Sequence, residues 1–261
     1  MCDFLHPIVM QQVSAKQPKL WILIVCLVVP NWLPTITSFV LMQCPSFSHF
    51  MTPHDAAYRV SFFVLQLSLT IGCVVLLSAA YSSAIWVPQP SWQRTALKSL
   101  LMLLPIFLFY LSGSIIGTQS AFALSGFGVE GNKMLDSIHN QVWGQLAYGP
   151  SLPGVLCVSV MAFVEPVLEE MIFRGFVINA LVTRIGFVGA IIGASACFAL
   201  LHVIQFGVGV HLIPLFFAGA TYGIIRVYSG SLAFAVVGHL AVNTVIFLPK
   251  WAVALLHFAH G

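Results

Sequence analysis

Three of the seven acidic residues in the chain fall within six positions: Glu165, Glu169 and Glu170, in the apolar segment FVEPVLEEMIFRGF. An ionised side chain near a bilayer centre costs about 2.5–3.5 kcal/mol on insertion scales, so such a cluster points to function. Arg174 lies four residues beyond Glu170, one turn along the same helix face, and the two can pair as acid and base. Glu169 points about 100° away from Glu170 on a 3.6-residue helix and is left to face something else. Glu165 precedes Pro166 and falls a turn before Glu169. It could line the same cavity or snorkel towards a headgroup, and the sequence assigns it no role.

Two histidines and an asparagine stand in other apolar runs. His202 is in CFALLHVIQF with Phe198 one turn earlier, and His239 is in VVGHLAVNTVIF with Asn243 one turn later. If the chain reverses near Arg184, Glu169 lies 15 residues before the turn and His202 lies 18 after it. At ~1.5 Å per residue these are about 22 and 27 Å from the turn, a similar depth. Asn243 lies 13 residues past Gly230, a turn on the same side, and is about 20 Å deep by the same rise. A carboxylate beside an imidazole in a wet pocket is general-base equipment. An imidazole and an amide reaching one spot supply the donors of an oxyanion site. Together they are the parts of a hydrolase.

The elements that must position these groups follow from composition. Of 261 residues, 59% are hydrophobic and only 7% charged, with a mean hydropathy of +0.99. A soluble domain carries about 25% charged residues, so this chain cannot cover a water-facing surface. A cytosolic enzyme and a disordered protein are excluded, and a net charge of +3 without a basic stripe argues against nucleic acid as a partner. The expected fold is all-α, a polytopic transmembrane helical bundle. Runs near the roughly 20 residues that cross a hydrocarbon core predict seven spans: Leu20–Met42, Val60–Tyr81, Ala96–Gly117, Leu152–Val182, Gly186–Phe206, Val210–Val227 and Leu232–Leu248. Lys16 and Lys19 ahead of Leu20 resemble a signal-peptide start, but Pro30, Asn31 and Pro34 interrupt the run where a cleavage site would be sought, so a retained first helix is expected.

Trp86–Arg94 reads as an interfacial loop, Thr118–Pro150 as the longest polar stretch, and Ser229–Gly230–Ser231 as a tight turn. The organisation expected is N-terminal membrane helices with a polar loop over 1–149, a catalytic helical core over 150–250 and a tail over 251–261. Lys16, Lys19, Arg94, Lys98, Arg184 and Arg226 fall on one side of the membrane and Arg59, Lys133 and Lys250 on the other, favouring a cytoplasmic N-terminus. The six cysteines form no CxxC pair and suggest neither a disulfide framework nor a zinc knuckle. Gly113/Gly117, Gly189/Gly193 and Gly219/Gly223 lie on helix faces where neighbouring backbones can approach closely.

The charged and polar residues resemble the motifs of the CPBP family, the CAAX proteases and bacteriocin-processing enzymes of the membrane, also called the Abi family. Its EExxxR, FxxxH and HxxxN motifs match Glu169 to Arg174, Phe198 to His202, and His239 to Asn243, in order and on three apolar segments. The resemblance implies an intramembrane endopeptidase acting on a membrane-associated or lipidated peptide. It implies Glu169 aided by His202 as the water-activating pair, His239 with Asn243 as the oxyanion site, and Glu170 with Arg174 as support.

That reading needs no cofactor, the lipid bilayer and a membrane-associated peptide or protein substrate being its partners. Two other readings use the same residues. A zinc metalloprotease would take ligands from Glu169, Glu170, His202 and His239, although the HExxH helix signature is absent. A proton-coupled transporter would use the buried carboxylates, but it should show paired repeats, and none is visible. Neither the substrate nor the oligomeric state is written in the sequence.

Overall fold

The computed structural model describes residues 18–42, 56–85, 111, 115–116, 159–203 and 212–260. Among them all regular structure is helical, as composition requires. We number the elements α1 (Leu20–Met42), α2 (Ala56–Ile85), α3 (Val160–Val164), α4 (Glu165–Glu170), α5 (Met171–Val177), α6 (Ile178–Leu201), α7 (Leu212–Ser229) and α8 (Leu232–His260). The predicted segment Ala96–Gly117 and the loops Trp86–Arg94 and Thr118–Pro150 lie largely or wholly outside the described residues.

Segments α3 and α5 are π-helical and bracket the glutamates. Pro166 explains part of this: without an N–H, it cannot donate to the carbonyl four residues back, so the ladder slips. The Glu165 N–H accordingly reaches the carbonyl of Val160, five residues earlier. The Ile178 N–H likewise reaches Phe173 at the far end of α5. Such π-turns concentrate at functional sites because they re-aim side chains within an otherwise regular helix.

Within α6 the chain breaks at Gly186, whose φ of +70° and ψ of −179° are neither helical nor open to a residue with a Cβ. Leu181 and Gly193 face each other across the break: a Cβ built on Gly193 would lie 3.1 Å from the Leu181 side chain. The segment from α3 to Leu201 is therefore a hairpin of two arms. The reversal falls two residues beyond Arg184, where equal depths for Glu169 and His202 require it.

Three described stretches are long and apolar enough to cross a membrane: Val64–Tyr81, Ala162–Leu201 and Leu212–Ser229. Shorter apolar helical stretches run over Trp21–Pro30 and Leu232–Val245. The polytopic architecture stands, whereas seven separate spans are not all recovered. Two of the predicted runs are the two arms that meet at Gly186, and α1 runs as one helix through Pro30 and Pro34.

The outward faces are apolar, with Val188 at 72%, Leu76 at 71% and Val245 at 76% exposure. These belong against lipid tails. Inside, α1 and α2 join α5 and α6 in one core, where Leu23, Cys26, Val74 and Leu77 cluster with Phe173, Phe176 and Phe198. Lipid is as apolar as leucine, so these helices are held by close packing rather than by water exclusion. The Gly219/Gly223 face shows this directly: a Cβ on Gly219 would meet Ser195 Cα at 3.1 Å, and one on Gly223 would meet Ile191 at 3.2 Å.

A sealed ion pair beside an open carboxylate

Glu170 and Arg174 are both fully buried. The α5 turn carries Arg174 back over Glu170, and Arg174 Nη1 donates to Glu170 Oε1 at 2.9 Å. Arg174 Nη2 donates to the carbonyl of Gly219 at 2.8 Å, which ties α5 to α7 where the two helices can come close. The guanidinium lies 4.9 Å from the Phe198 ring centroid and 5.2 Å from that of Tyr222, faces that favour a cation.

Glu170 Oε1 has a second donor. His239, brought in by α8, places Nδ1 3.0 Å from it. A carboxylate accepts, so this nitrogen carries the proton and Nε2 points away, to within 3.8 Å of Glu169 Oε2. Tyr222 stacks on the His239 ring, with centroids 4.4 Å apart and an interplanar angle of 18°. Phe198 lies edge-on to it at 6.0 Å.

His202 is arranged in the same way on the opposite side. It caps α6, and its Nδ1 lies 2.8 Å from the carbonyl of Phe198, which also can only accept. Its Nε2 is 3.9 Å from Glu169 Oε1. Glu169 and His202 are 33 residues apart, which would separate them by about 50 Å on one straight helix. The Gly186 reversal is what brings them together. The ring of Phe198 lies 4.7 Å from His202 and 5.3 Å from Phe173, so this one side chain packs against both imidazoles and the arginine. That accounts physically for a phenylalanine one turn before the histidine.

Glu169 thus sits between two imidazole Nε2 atoms, each too far for a direct hydrogen bond and near enough for a water to bridge. It lines a small pocket with Cys26, Leu27, Pro30, Gln66, Thr70, Glu165, Ile172, Phe173, Leu201 and His202. Both glutamates flanking this space, Glu165 and Glu169, are only partly buried. Asn243 is half-buried one turn beyond His239, and its carboxamide makes no hydrogen bond among the described residues. Among those residues no three His, Cys, Asp or Glu side chains have the mutual geometry of a metal site.

Five of the six predicted site residues, Glu169, Glu170, Arg174, His202 and His239, are thereby linked in one network. Three contributors have no signal of their own in the sequence. Tyr222 is one more aromatic on an apolar helix, and Gly219 reads only as a packing glycine, with no sign that its carbonyl receives Arg174. Arg226 stands at a helix end and reads as a loop charge. It is instead buried at 1% exposure, donating from Nε to the Arg174 carbonyl at 3.3 Å and from Nη1 to the Gly230 carbonyl. Removing it from the orientation count leaves five basic residues against three.

Residues 151–245 match the family model for Rce1-like proteins, the type II CAAX prenyl endopeptidases. No curated protein and no solved structure matches the chain. The matched segment runs from ahead of α3 into α8 and contains every residue of the network, while α1 and α2 lie outside it. Over residues 151–245 the chain is thus similar to the Rce1-like type II CAAX prenyl endopeptidases, and the resemblance read from its motifs falls in the same segment.

Proposed function

We propose that Glu169 is the general base of peptide-bond hydrolysis in the bilayer, acting on a water held between its carboxylate and the two imidazole Nε2 atoms. The observation that carries this reading is the placement of Glu169: it lines the pocket, with one Nε2 at 3.8 Å and the other at 3.9 Å. Glu169 takes the water proton as the oxygen attacks the scissile carbonyl. His202, its Nδ1–H committed to Phe198, offers Nε2 as a second acceptor that orients the same water.

The tetrahedral oxyanion needs N–H donors. His239 offers one at Nε2 when that nitrogen carries a hydrogen, its ring held in place by the Nδ1–H bond to Glu170. The Asn243 carboxamide, one turn on, is the second donor. Glu170 and Arg174 hold His239 in place and contact no substrate. The substrate is a membrane-associated or lipidated peptide entering between α4 and the α1–α2 wall. Glu169 then returns its proton to the leaving amine, which balances the reaction without a cofactor.

The test compares membranes containing wild-type and Glu169→Gln protein by N-terminal proteomics. New N-termini that vanish in the variant support the reading, and an unchanged set overturns it. A parallel sample of purified wild type is stripped with a strong chelator and assayed beside a metal analysis. Stoichiometric zinc, with activity lost on stripping and restored by zinc, would recast Glu169 and the two histidines as ligands.

A further inference from the structure

Glu165 is outside the three motifs, yet it opens onto the same pocket as Glu169. The two carboxylates are four residues apart on α4, on one face, a like-charge arrangement that is unfavourable unless something intervenes. For Glu169 the two imidazoles intervene. Glu165 makes no hydrogen bond or ion pair among the described residues.

Among the described residues, the arginines of α5, α6 and α7 are engaged elsewhere. Arg174 is committed to Glu170 and Gly219, Arg184 to the Ala180 carbonyl, and Arg226 to the carbonyls of Arg174 and Gly230. The described residues lining the pocket include no lysine or arginine. Facing Glu165 across the space are Gln66 and Thr70 of α2, one turn apart, with the Thr70 hydroxyl donating to the Gln66 carbonyl at 2.9 Å. Among the described residues the mouth of the site is thus polar and lined by two carboxylates with no basic side chain beside them.

Resting on the assignment of Glu169 as the base, we infer that Glu165 is a specificity-determining residue that selects substrates with a cationic side chain, lysine or arginine, beside the scissile bond. One helical turn separates Glu165 from Glu169 by about 6 Å. An extended peptide advances about 3.3 Å per residue, so the cation belongs one or two residues from the carbonyl under attack. A carboxylate at that place meets two glutamates and is rejected. The wall opposite comes from α1 and α2, so helices outside the family match complete the substrate groove.

The experiment uses the full chain in lipid nanodiscs and internally quenched peptides carrying lysine, norleucine or glutamate at each of the two positions on either side of the cleaved bond. Lysine should exceed norleucine by about tenfold in kcat/KM, carried by KM, as expected for a charge-assisted contact. Glutamate should be the poorest. Glu165→Gln should bring the lysine-to-norleucine ratio close to one, and Glu165→Lys should invert the order towards glutamate. A wild type that prefers norleucine or glutamate at all four positions overturns the inference without any variant. So does a lysine preference that survives in Glu165→Gln.

The same peptides are titrated against Glu169→Gln protein and the Glu165→Gln/Glu169→Gln double variant. If nothing is cleaved but the lysine peptide still binds about tenfold tighter only where Glu165 is intact, the cation subsite stands and the hydrolytic reading falls. Cleavage by wild type with no discrimination among the peptides overturns the cation subsite and leaves the hydrolytic reading standing.

Discussion

The two halves of the site treat charge in opposite ways. On the α7–α8 side, Glu170, Arg174 and His239 are buried and joined through one carboxylate oxygen, with aromatic rings around them. On the α1–α2 side, Glu169, Glu165 and His202 face a pocket, and the gap between Glu169 and the imidazole is wide enough for a bridging water. In the first half the charged groups are bound to one another and closed off from the pocket, with Glu170 Oε2 and Arg174 Nε left over, and it can only hold. The second has kept its capacity back and can react. Two glutamates adjacent in sequence are divided between these tasks, because consecutive helix positions point about 100° apart.

The two glutamate neighbourhoods are therefore separable by experiment. The largest effect should come from the open half: Glu169→Gln keeps shape and volume but accepts no proton, and should lower turnover by about 10²–10⁴-fold. Its melting temperature in detergent should stay within a degree or two of wild type. A large drop in melting temperature would show that Glu169 is structural and would erase the contrast.

Arg174→Ala attacks the sealed half and should do what Glu169→Gln does not. Stranding Glu170 in a dry interior typically costs about 3–5 kcal/mol, so thermal unfolding should shift well below wild type. Replacing Glu170 and Arg174 together by apolar residues should cost less than the two single losses summed. Unchanged unfolding of Arg174→Ala would place its guanidinium in contact with substrate or solvent.

Asn243→Ala should slow turnover by about 10²–10³-fold through a lost oxyanion donor while leaving KM near wild type. An effect confined to KM would make Asn243 a binding residue. The smallest change expected is in Gly219→Ala. The added Cβ meets Ser195 Cα at 3.1 Å, so α6 and α7 must part and the carbonyl that Arg174 uses must move. Overpacking of this kind costs about 1–3 kcal/mol. It should be read as a lower melting temperature with turnover reduced in proportion to folded protein.

What can be read from sequence divides along the same line. The pairing of Glu170 with Arg174 and the meeting of Glu169 with His202 depend on helix pitch and one reversal, so residue spacing is enough. The grip of His239 on Glu170 spans 69 positions and depends on how α8 docks, which no local periodicity encodes. The π-turns around Glu165–Glu170 have a visible cause at one end only, in Pro166. Arg226 misleads for a physical reason: a basic residue in the last turn of a membrane helix normally meets water, whereas here two backbone carbonyls take its place. The count of seven spans is not confirmed among the described residues, because an apolar run does not state whether it continues, folds back or is interrupted.

The reversal at Gly186 also sets a timetable. Relative contact order is low within the hairpin, so Glu169, Glu170, Arg174 and His202 belong to a unit that can assemble early in synthesis. His239 arrives only after α7 has been laid down. Until α8 docks, the nascent chain carries a paired Glu170 and Arg174 but lacks the second imidazole beside Glu169. The order of the motifs along the chain is therefore an order of completion, and the network is whole only when the last of its helices is in place.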